Sequence, residues 1–402
     1  MRIAHVTYTY EPVAGGADVY LRALFALLEK QGHSQRVYQR ASGARGEHLR
    51  FVNNPLNRVP GAFWTHAAML WRHWGALSCE DALICHYPAY LLACAPVRMM
   101  SREATGAGSS DPSAGWRTRL REKPRPQRRG KVRLIGVSHG VTWDDRPGSA
   151  RSAVKCALAR AAFRRADLFV ANDSYFLREM GLRVMPGERA FMRVADKAWF
   201  IPNCVEARKY RGAEPLPAIA ALEPVLVPRH LYRNRGVHLA IEAFAEFARR
   251  YPRSHLLIVG AASQPRYVRS LARQVEALGL RGRVIFHGPV APDEMARLYA
   301  SARLTVIPSI AGEGTSLAAL ESMATGVATV CTRVAGLADL PAVHSAPDAE
   351  PLARAMLEAY EMRDEIGARQ RQVVEQEFNI ERWEKAWLRA LENAGVARSE
   401  QQ

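Results

Sequence analysis

LTVIPSIAGEGTSLAALESMATGVATV, residues Leu304 to Val330, opens with a short apolar run, Leu304 to Ile307, that suits a buried strand. A loop follows, carrying Pro308, Ser309, Gly312, Glu313 and Gly314. Thr315 and Ser316 are N-cap residue types for the helix that continues as LAALESMA. Gly326 ends that helix, and VATV reads as the next buried strand. A strand therefore delivers a glycine-flanked carboxylate, Glu313, to the mouth of a helix. A second carboxylate, Glu321, lies inside the helix, with seven residues between the two.

Such an arrangement suits a sugar nucleotide. Free amides at a helix start, together with the helix dipole, favour a diphosphate. Gly314 lets backbone approach a ligand closely. Carboxylates accept hydrogen bonds from sugar hydroxyls. The plainer alternative is an ordinary strand-loop-helix unit with two solvated glutamates, but the whole string in this context is more specific than its parts.

EGTSLAALESMATGVATV resembles the donor-site motif of the family 4 retaining glycosyltransferases, in which two glutamates seven residues apart precede a Met-Ala-x-Gly turn. The resemblance covers most of residues 1 to 390. It implies an α/β chain with the GT-B fold: two Rossmann-like domains facing a deep cleft, and a C-terminal helix crossing back to the first domain. By that likeness Glu313 contacts the transferred sugar and Glu321 the ribose, while the amides of Gly314, Thr315, Ser316 and Leu317 bind sugar oxygens or the diphosphate. VPRHLYRNRGVHLAIEAF resembles the family's diphosphate clamp. Arg229 matches its arginine and Arg235 stands at its lysine position, with Arg233 as a competitor one turn away. Two cations there would stabilise charge developing on the leaving diphosphate. Pro228 replaces the family's glycine, and an arginine fork need not match lysine geometry. Gly15 and Gly16, in EPVAGGADVYL, resemble the family's loop at the interdomain cleft, where a plain turn is the alternative. His139, in LIGVSHGVTWDD, resembles the cleft histidine expected near the transferred sugar, with Asp144 and Asp145 as weaker acceptor contacts and Asp173 as a helix cap. VCTRVAGLADLPAVHS departs from the family's Gly-Gly-x-Pro-Glu loop and keeps Gly336 and nearby Asp339.

The rest of the chain supports an α/β reading. Runs at Arg2 to Thr7, Gln35 to Tyr38, Ala82 to Cys85, Arg133 to Val137 and Leu168 to Ala171 read as strands alternating with helices, which argues for a parallel sheet covered on both faces. From Val225 the alternation restarts. The expected division is an acceptor-binding domain over 1–197, a donor-binding domain over 198–379 and a crossing helix with tail over 380–402. Residues 98–133 carry eleven Lys or Arg against three acids and read as a basic, flexible insertion in the first domain.

Composition bounds the partners. The 402 residues suffice for two domains, and a hydrophobic share of 48% with 24% charged is globular. The net charge of +17 points to an anionic partner or to an arginine-rich solvated surface; no nucleic-acid motif accompanies it, so no nucleic acid is expected. Met1-Arg2 leads directly into a strand-like run without the features of a signal peptide, and six scattered cysteines without a C-x-x-C pair suit reduced thiols. A cytoplasmic location follows as the expectation, peripheral on the inner face of the membrane if the basic insertion meets anionic lipid.

The function expected is metal-independent, cofactor-free retaining transfer of a sugar from a nucleotide-diphosphate sugar to a carbohydrate, glycolipid or small-molecule acceptor, in polysaccharide or lipid-linked glycan synthesis. Natural-product transfer to an aminocyclitol-type acceptor, or a sugar phosphorylase on the same fold, is the enzymatic alternative. A non-enzymatic basic protein binding membrane or nucleic acid is the alternative of another class, and it leaves the donor string unexplained. A Rossmann dehydrogenase is disfavoured, since EPVAGGADVY is not G-x-G-x-x-G, and no Walker A string occurs.

Overall fold

The computed structural model describes residues 1–13, 15–56, 62–99, 131–141, 143–144, 148–185, 190–262 and 264–396. The basic stretch lies outside the described residues between 100 and 130, as does Asp145.

Two sheets organise the chain. The first holds β1 (Arg2–Val6), β2 (Ser34–Arg40), β3 (Leu49–Val52), β4 (Ala82–Cys85), β5 (Arg133–Ser138), β6 (Leu168–Ala171), β7 (Met192–Ala195) and β8 (Ala198–Phe200). Their order is β3-β2-β1-β4-β5-β6-β8-β7. β1 pairs in parallel with both β2 and β4, whereas β7 and β8 form an antiparallel hairpin. The boundary expected between residues 197 and 198 falls at that hairpin's turn. β4 and β6 are buried along their whole length, which is why they read as unbroken apolar runs rather than as alternating ones.

The second sheet holds β9 (Val225–Pro228), β10 (Leu256–Val259), β11 (Val284–Gly288), β12 (Leu304–Ile307), β13 (Thr329–Thr332) and β14 (Val343–Ser345). It is parallel throughout, in the order β11-β10-β9-β12-β13-β14. The helix Val237–Arg250 buries Val237, Ala240, Ile241, Phe244, Phe247 and Ala248, the three-and-four spacing of one helical face. Phe247 meets the ring of Tyr360, on the helix Ala349–Glu361, at 5.1 Å. Truncating such a buried phenylalanine to alanine costs about 3–5 kcal/mol.

By packing density the described residues form two compact units. One comprises Met1–Val137, Leu158–Phe169 and Ala390–Gln402; the other comprises Ser138–Ala157 and Val170–Arg389. The last helix, Ile380–Asn393, buries Trp383 and Trp387 completely, and its residues from Ala390 belong to the first unit. No helix among the described residues is long and apolar enough to cross a membrane.

Candidate functional site

In each sheet the strand order reverses direction once, between β1 and β4 and between β9 and β12. Open parallel sheets bind ligands beyond the carboxyl ends of the strands at such a reversal. Arg229 directly follows β9, and the loop from Pro308 to Ser316 directly follows β12. The topology alone therefore brings the sequence's arginine and its glycine-flanked glutamate to one place in the second unit.

There they meet. Arg229 Nη2 donates to Glu313 Oε1 at 2.5 Å and to Ser309 Oγ at 2.9 Å. Arg235 Nη1 pairs with the same Glu313 oxygen and reaches the carbonyl of Gly312 at 3.4 Å. Ser309 Oγ donates to Glu313 Oε1 at 3.0 Å. The Glu313 side chain is 6% exposed, so one carboxylate compensates two guanidiniums largely out of water. Burial lowers Arg229 to about 10 and Arg235 to about 9, the latter helped by Arg229's own charge. Both remain cationic at neutral pH. Arg235 reaches the site because Gly236 is left-handed (φ 68°) and lies against Pro308, where a Cβ would fall 1.7 Å from the carbonyl oxygen. Arg233, the competing candidate, is exposed and lines a different cavity with Gln264 and Arg266.

The loop carrying Glu313 is gripped by distant parts of the same unit. A Cβ on Gly140 (φ 102°) would lie 2.7 Å from the amide nitrogen of Gly314, and one on Gly336 would lie 2.3 Å from the Gly314 carbonyl carbon. A Cβ on Gly314 itself would lie 2.6 Å from Asn172 Oδ1. The reading of Gly314 as room for a ligand is thus corrected: the space left by its missing side chain is taken by Asn172. Gly336 N donates to the Glu313 carbonyl at 3.2 Å. The Asp144 carboxylate accepts the Gly312 amide through both oxygens. This gives Asp144 a supporting task in place of the acceptor contact expected of it.

The helix Leu317–Thr325 begins as its sequence requires. Ser316 is the N-cap, its Oγ accepting from Ala319 N at 3.4 Å, and Gly326 closes the other end at φ 86°. Thr315 is not the cap. Its hydroxyl donates to the Asn172 carbonyl at 2.9 Å and accepts from Asn203 N at 2.8 Å, so it ties the loop to two neighbouring segments. Leu317 opens the first turn, whose amides and dipole favour an anion. Glu321 lies farther along the helix, where Tyr299 Oη donates to its Oε2 at 3.0 Å. Burial raises the Glu321 carboxyl, and hydrogen bonds from Tyr299 and Tyr210 oppose that shift.

His139 ends the segment that supports the loop, next to Gly140. Burial holds its imidazole at about 3, so it is neutral at physiological pH. Asp173 caps the helix Ser174–Glu179 through Phe176 N at 2.6 Å. Asp339 accepts the Ser174 amide at 2.8 Å. Gly336 and Asp339, the two positions kept from the family's loop, are therefore used to hold the site together. Gly15 and Gly16 belong to the first unit, at the start of the helix Gly16–Lys30 that follows β1, and a Cβ on Gly15 would meet nothing within 4 Å. Sequence reasoning gave Ser309 no task and missed Asn172, Asn203, Tyr210 and Tyr299. Only their strand-end or loop positions signalled them. Chemically, two cations and a helix start can take a diphosphate, and the carboxylates can take hydroxyls.

Comparison with known proteins agrees with this geometry. Residues 224–362 match the family described as "Glycosyl transferases group 1". D-inositol 3-phosphate glycosyltransferase of Acidothermus cellulolyticus is 35% identical over 176 residues, 41% of this chain and 36% of that protein. The aligned parts span 36%, 26% and 36% of the first curated relatives, about a third of their length. Among solved structures, sucrose-phosphate synthase of Thermosynechococcus elongatus superposes with a TM-score of 0.74 at 18% identity, over 99% of this chain and 100% of that one. HepE of Anabaena, in complex with UDP and glucose, gives 0.71 at 19% identity, over 98% and 99%. Residues 224–362 therefore belong to the group 1 glycosyltransferases, within a chain that has the GT-B fold.

Proposed function

We propose that this chain is a glycosyltransferase that moves a sugar from a nucleotide-diphosphate sugar to a hydroxyl acceptor, as a retaining enzyme of family 4. The observation that carries the reading is Glu313, held by Arg229 and Arg235 at the mouth of the helix Leu317–Thr325. A diphosphate arriving there would replace the carboxylate as counter-ion to both guanidiniums. Glu313 would then be released to accept hydrogen bonds from the hydroxyls of the sugar to be transferred. Glu321 would take the ribose hydroxyls. The neutral His139 would hydrogen-bond the sugar without adding charge beside the phosphates.

Transfer with retention suits attack on the face that the leaving group vacates. The bond from the anomeric carbon to the diphosphate oxygen breaks as the bond from the acceptor oxygen forms, and the acceptor proton passes to the departing phosphate. Arg229, Arg235 and the helix start stabilise the negative charge released. Because that charge is met by two guanidiniums, the reading needs no metal ion; activity should survive EDTA and gain nothing from added Mn²⁺ or Mg²⁺.

The solved neighbours carrying UDP or UDP-glucose support a nucleotide-sugar donor. The similarity to D-inositol 3-phosphate glycosyltransferase, and to the phosphatidylinositol N-acetylglucosaminyltransferase of Arabidopsis thaliana, supports a role in glycan or glycolipid synthesis. Peripheral attachment to anionic membrane through the basic stretch is part of the same proposal. A thermal-shift panel of UDP, GDP, ADP and their sugar conjugates tests the donor reading, since a ligand at a hundred times its Kd stabilises by about 2.7 kcal/mol. A flat response to every nucleotide would remove it.

A further inference from the structure

A second cavity, of about 360 Å³, lies wholly in the first unit. It opens where β1, β2 and β3 end: Tyr8 follows β1, Arg40 closes β2, and Val52 closes β3 ahead of Asn53, Asn54 and Pro55. His66, on the helix Ala62–Met69, and Arg72 complete the lining. Its volume suits a small organic ligand, and its place beyond the carboxyl ends of parallel strands is where open sheets bind one.

The lining has one sign. It includes two guanidiniums and no carboxylate. Among the described residues neither Arg40 nor Arg72 forms an ion pair. Both stack on aromatic rings, Arg40 over Tyr8 at 5.3 Å and Arg72 over Trp71 at 5.6 Å. Stacking limits how far each planar fork swings while leaving its N–H groups to face a partner. Behind them the wall is fixed. His66 is fully buried, with Nδ1 2.9 Å from the Tyr90 hydroxyl. Asn54 donates to Thr65 Oγ1 at 2.9 Å and accepts from Leu56 N at 3.0 Å, which occupies both ends of its amide. Val52, Ala41 and Pro55 supply apolar surface for a carbon skeleton.

We infer that this cavity binds the phosphate of a phosphorylated acceptor, with Arg40 and Arg72 as its two forks. Paired guanidiniums without a counter-ion match the several oxygens of a phosphate group, each fork able to donate two parallel hydrogen bonds. A neutral sugar would leave both charges uncompensated. The word acceptor rests on the glycosyltransferase reading; the anion site itself does not. The phosphate could come from a soluble sugar phosphate or from a lipid headgroup, and the chemistry at the two arginines is the same.

The test uses the full chain and the double variant Arg40→Gln/Arg72→Gln. Both side chains are exposed, so the fold should tolerate the change. Binding of inorganic phosphate, glucose 6-phosphate and glucose is titrated, alongside flotation with vesicles of phosphatidylglycerol or of phosphatidylcholine alone. UDP is titrated against both proteins as a separate arm. The expected result is binding of glucose 6-phosphate but not of glucose, weakened at least about tenfold in the double variant as charged hydrogen bonds are lost, with UDP affinity unchanged. If phosphatidylglycerol vesicles rather than glucose 6-phosphate lose binding in the variant, the site stands and its phosphate is a lipid headgroup. Equal binding of every phosphate-bearing probe to both proteins overturns the inference, as does glucose binding as tightly as glucose 6-phosphate. Absence of UDP binding with phosphate binding intact would instead sink the glycosyltransferase reading and leave the anion site.

Discussion

Both oxygens of the Asp144 carboxylate accept the backbone amide of Gly312, at 3.0 and 2.9 Å. A charged acceptor on the segment after β5 thus fixes the residue immediately before Glu313. A hydrogen bond to a charged group is worth roughly 1.5–3 kcal/mol. Asp144→Ala should therefore lower kcat/KM for the donor by about tenfold or more, while Asp144→Asn, which keeps one acceptor oxygen, should fall less. Steady-state kinetics of the two variants decide it, and equal loss in both would show that the carboxylate is not acting through Gly312.

Glu313→Gln removes the single counter-ion of two largely buried guanidiniums. Breaking a buried pair by deleting one partner costs about 3–5 kcal/mol when the remaining charge is fully enclosed. Arg235 is partly exposed, so a loss on the order of 3 kcal/mol is expected in thermal denaturation. UDP should stabilise this variant more than it does the parent, because its phosphates replace the missing charge, while sugar transfer should fall at least about tenfold. An unchanged melting temperature without nucleotide would refute the shared clamp.

Glu321 sits among hydroxyls, with Tyr299 as one donor. Glu321→Gln should weaken UDP binding by about tenfold with little effect on the step that breaks the sugar bond. Because burial raises this carboxyl, nucleotide affinity should improve as pH rises through its titration in the parent and stay level in the variant. Calorimetric titration of UDP across pH separates these outcomes.

Gly140→Ala should cripple the site from outside it. Its φ of 102° is hostile to a side chain, and the new Cβ would press within 2.7 Å of Gly314 N. Backbone strain of this kind costs on the order of 1–3 kcal/mol before any displacement of the loop. Loss of transfer in a protein that still melts cooperatively is the expected outcome; parental kcat and KM would contradict it.

Asp339, held by burial at about 6, binds its proton more tightly in the folded chain than in the unfolded one. Between about pH 4 and pH 6 the unfolded chain has released that proton while the folded chain keeps it. Stability from this residue therefore falls as pH rises through the window, by on the order of 2–3 kcal/mol, and is level above it. Asp339→Asn retains an acceptor for Ser174 N and cannot titrate. Melting temperatures of parent and variant should diverge most at pH 4 and approach one another, or cross, by pH 7; parallel profiles would contradict the assignment.

Residues that announce themselves by local pattern were legible in the sequence. β4 and β6 are unbroken apolar runs, and Ser316 and Gly326 bracket their helix by chemistry that acts within a few residues. Arg235 could be narrowed to a pair with Arg233, but the choice depended on Gly236 turning the chain against Pro308, a contact between residues far apart in sequence. The short strands β3, β7 and β14 escaped notice because polar or exposed residues interrupt their apolar pattern. Gly314 and Thr315 were recognised as site residues, yet the demands on them come from Asn172 and Asn203, which no spacing rule connects to Glu313.

The way the Glu313 loop is held bears on what could be transplanted. The family match begins at residue 224, but Gly140, Asp144, Asn172 and Asn203 all precede it. A chimera that grafts residues 224–362 onto a foreign partner would import the arginines and both glutamates while leaving their braces behind. Swapping donor preference between relatives should therefore succeed only when the exchanged piece reaches back to about residue 138, and a cut placed at the apparent edge of the homologous domain should yield a folded but idle hybrid.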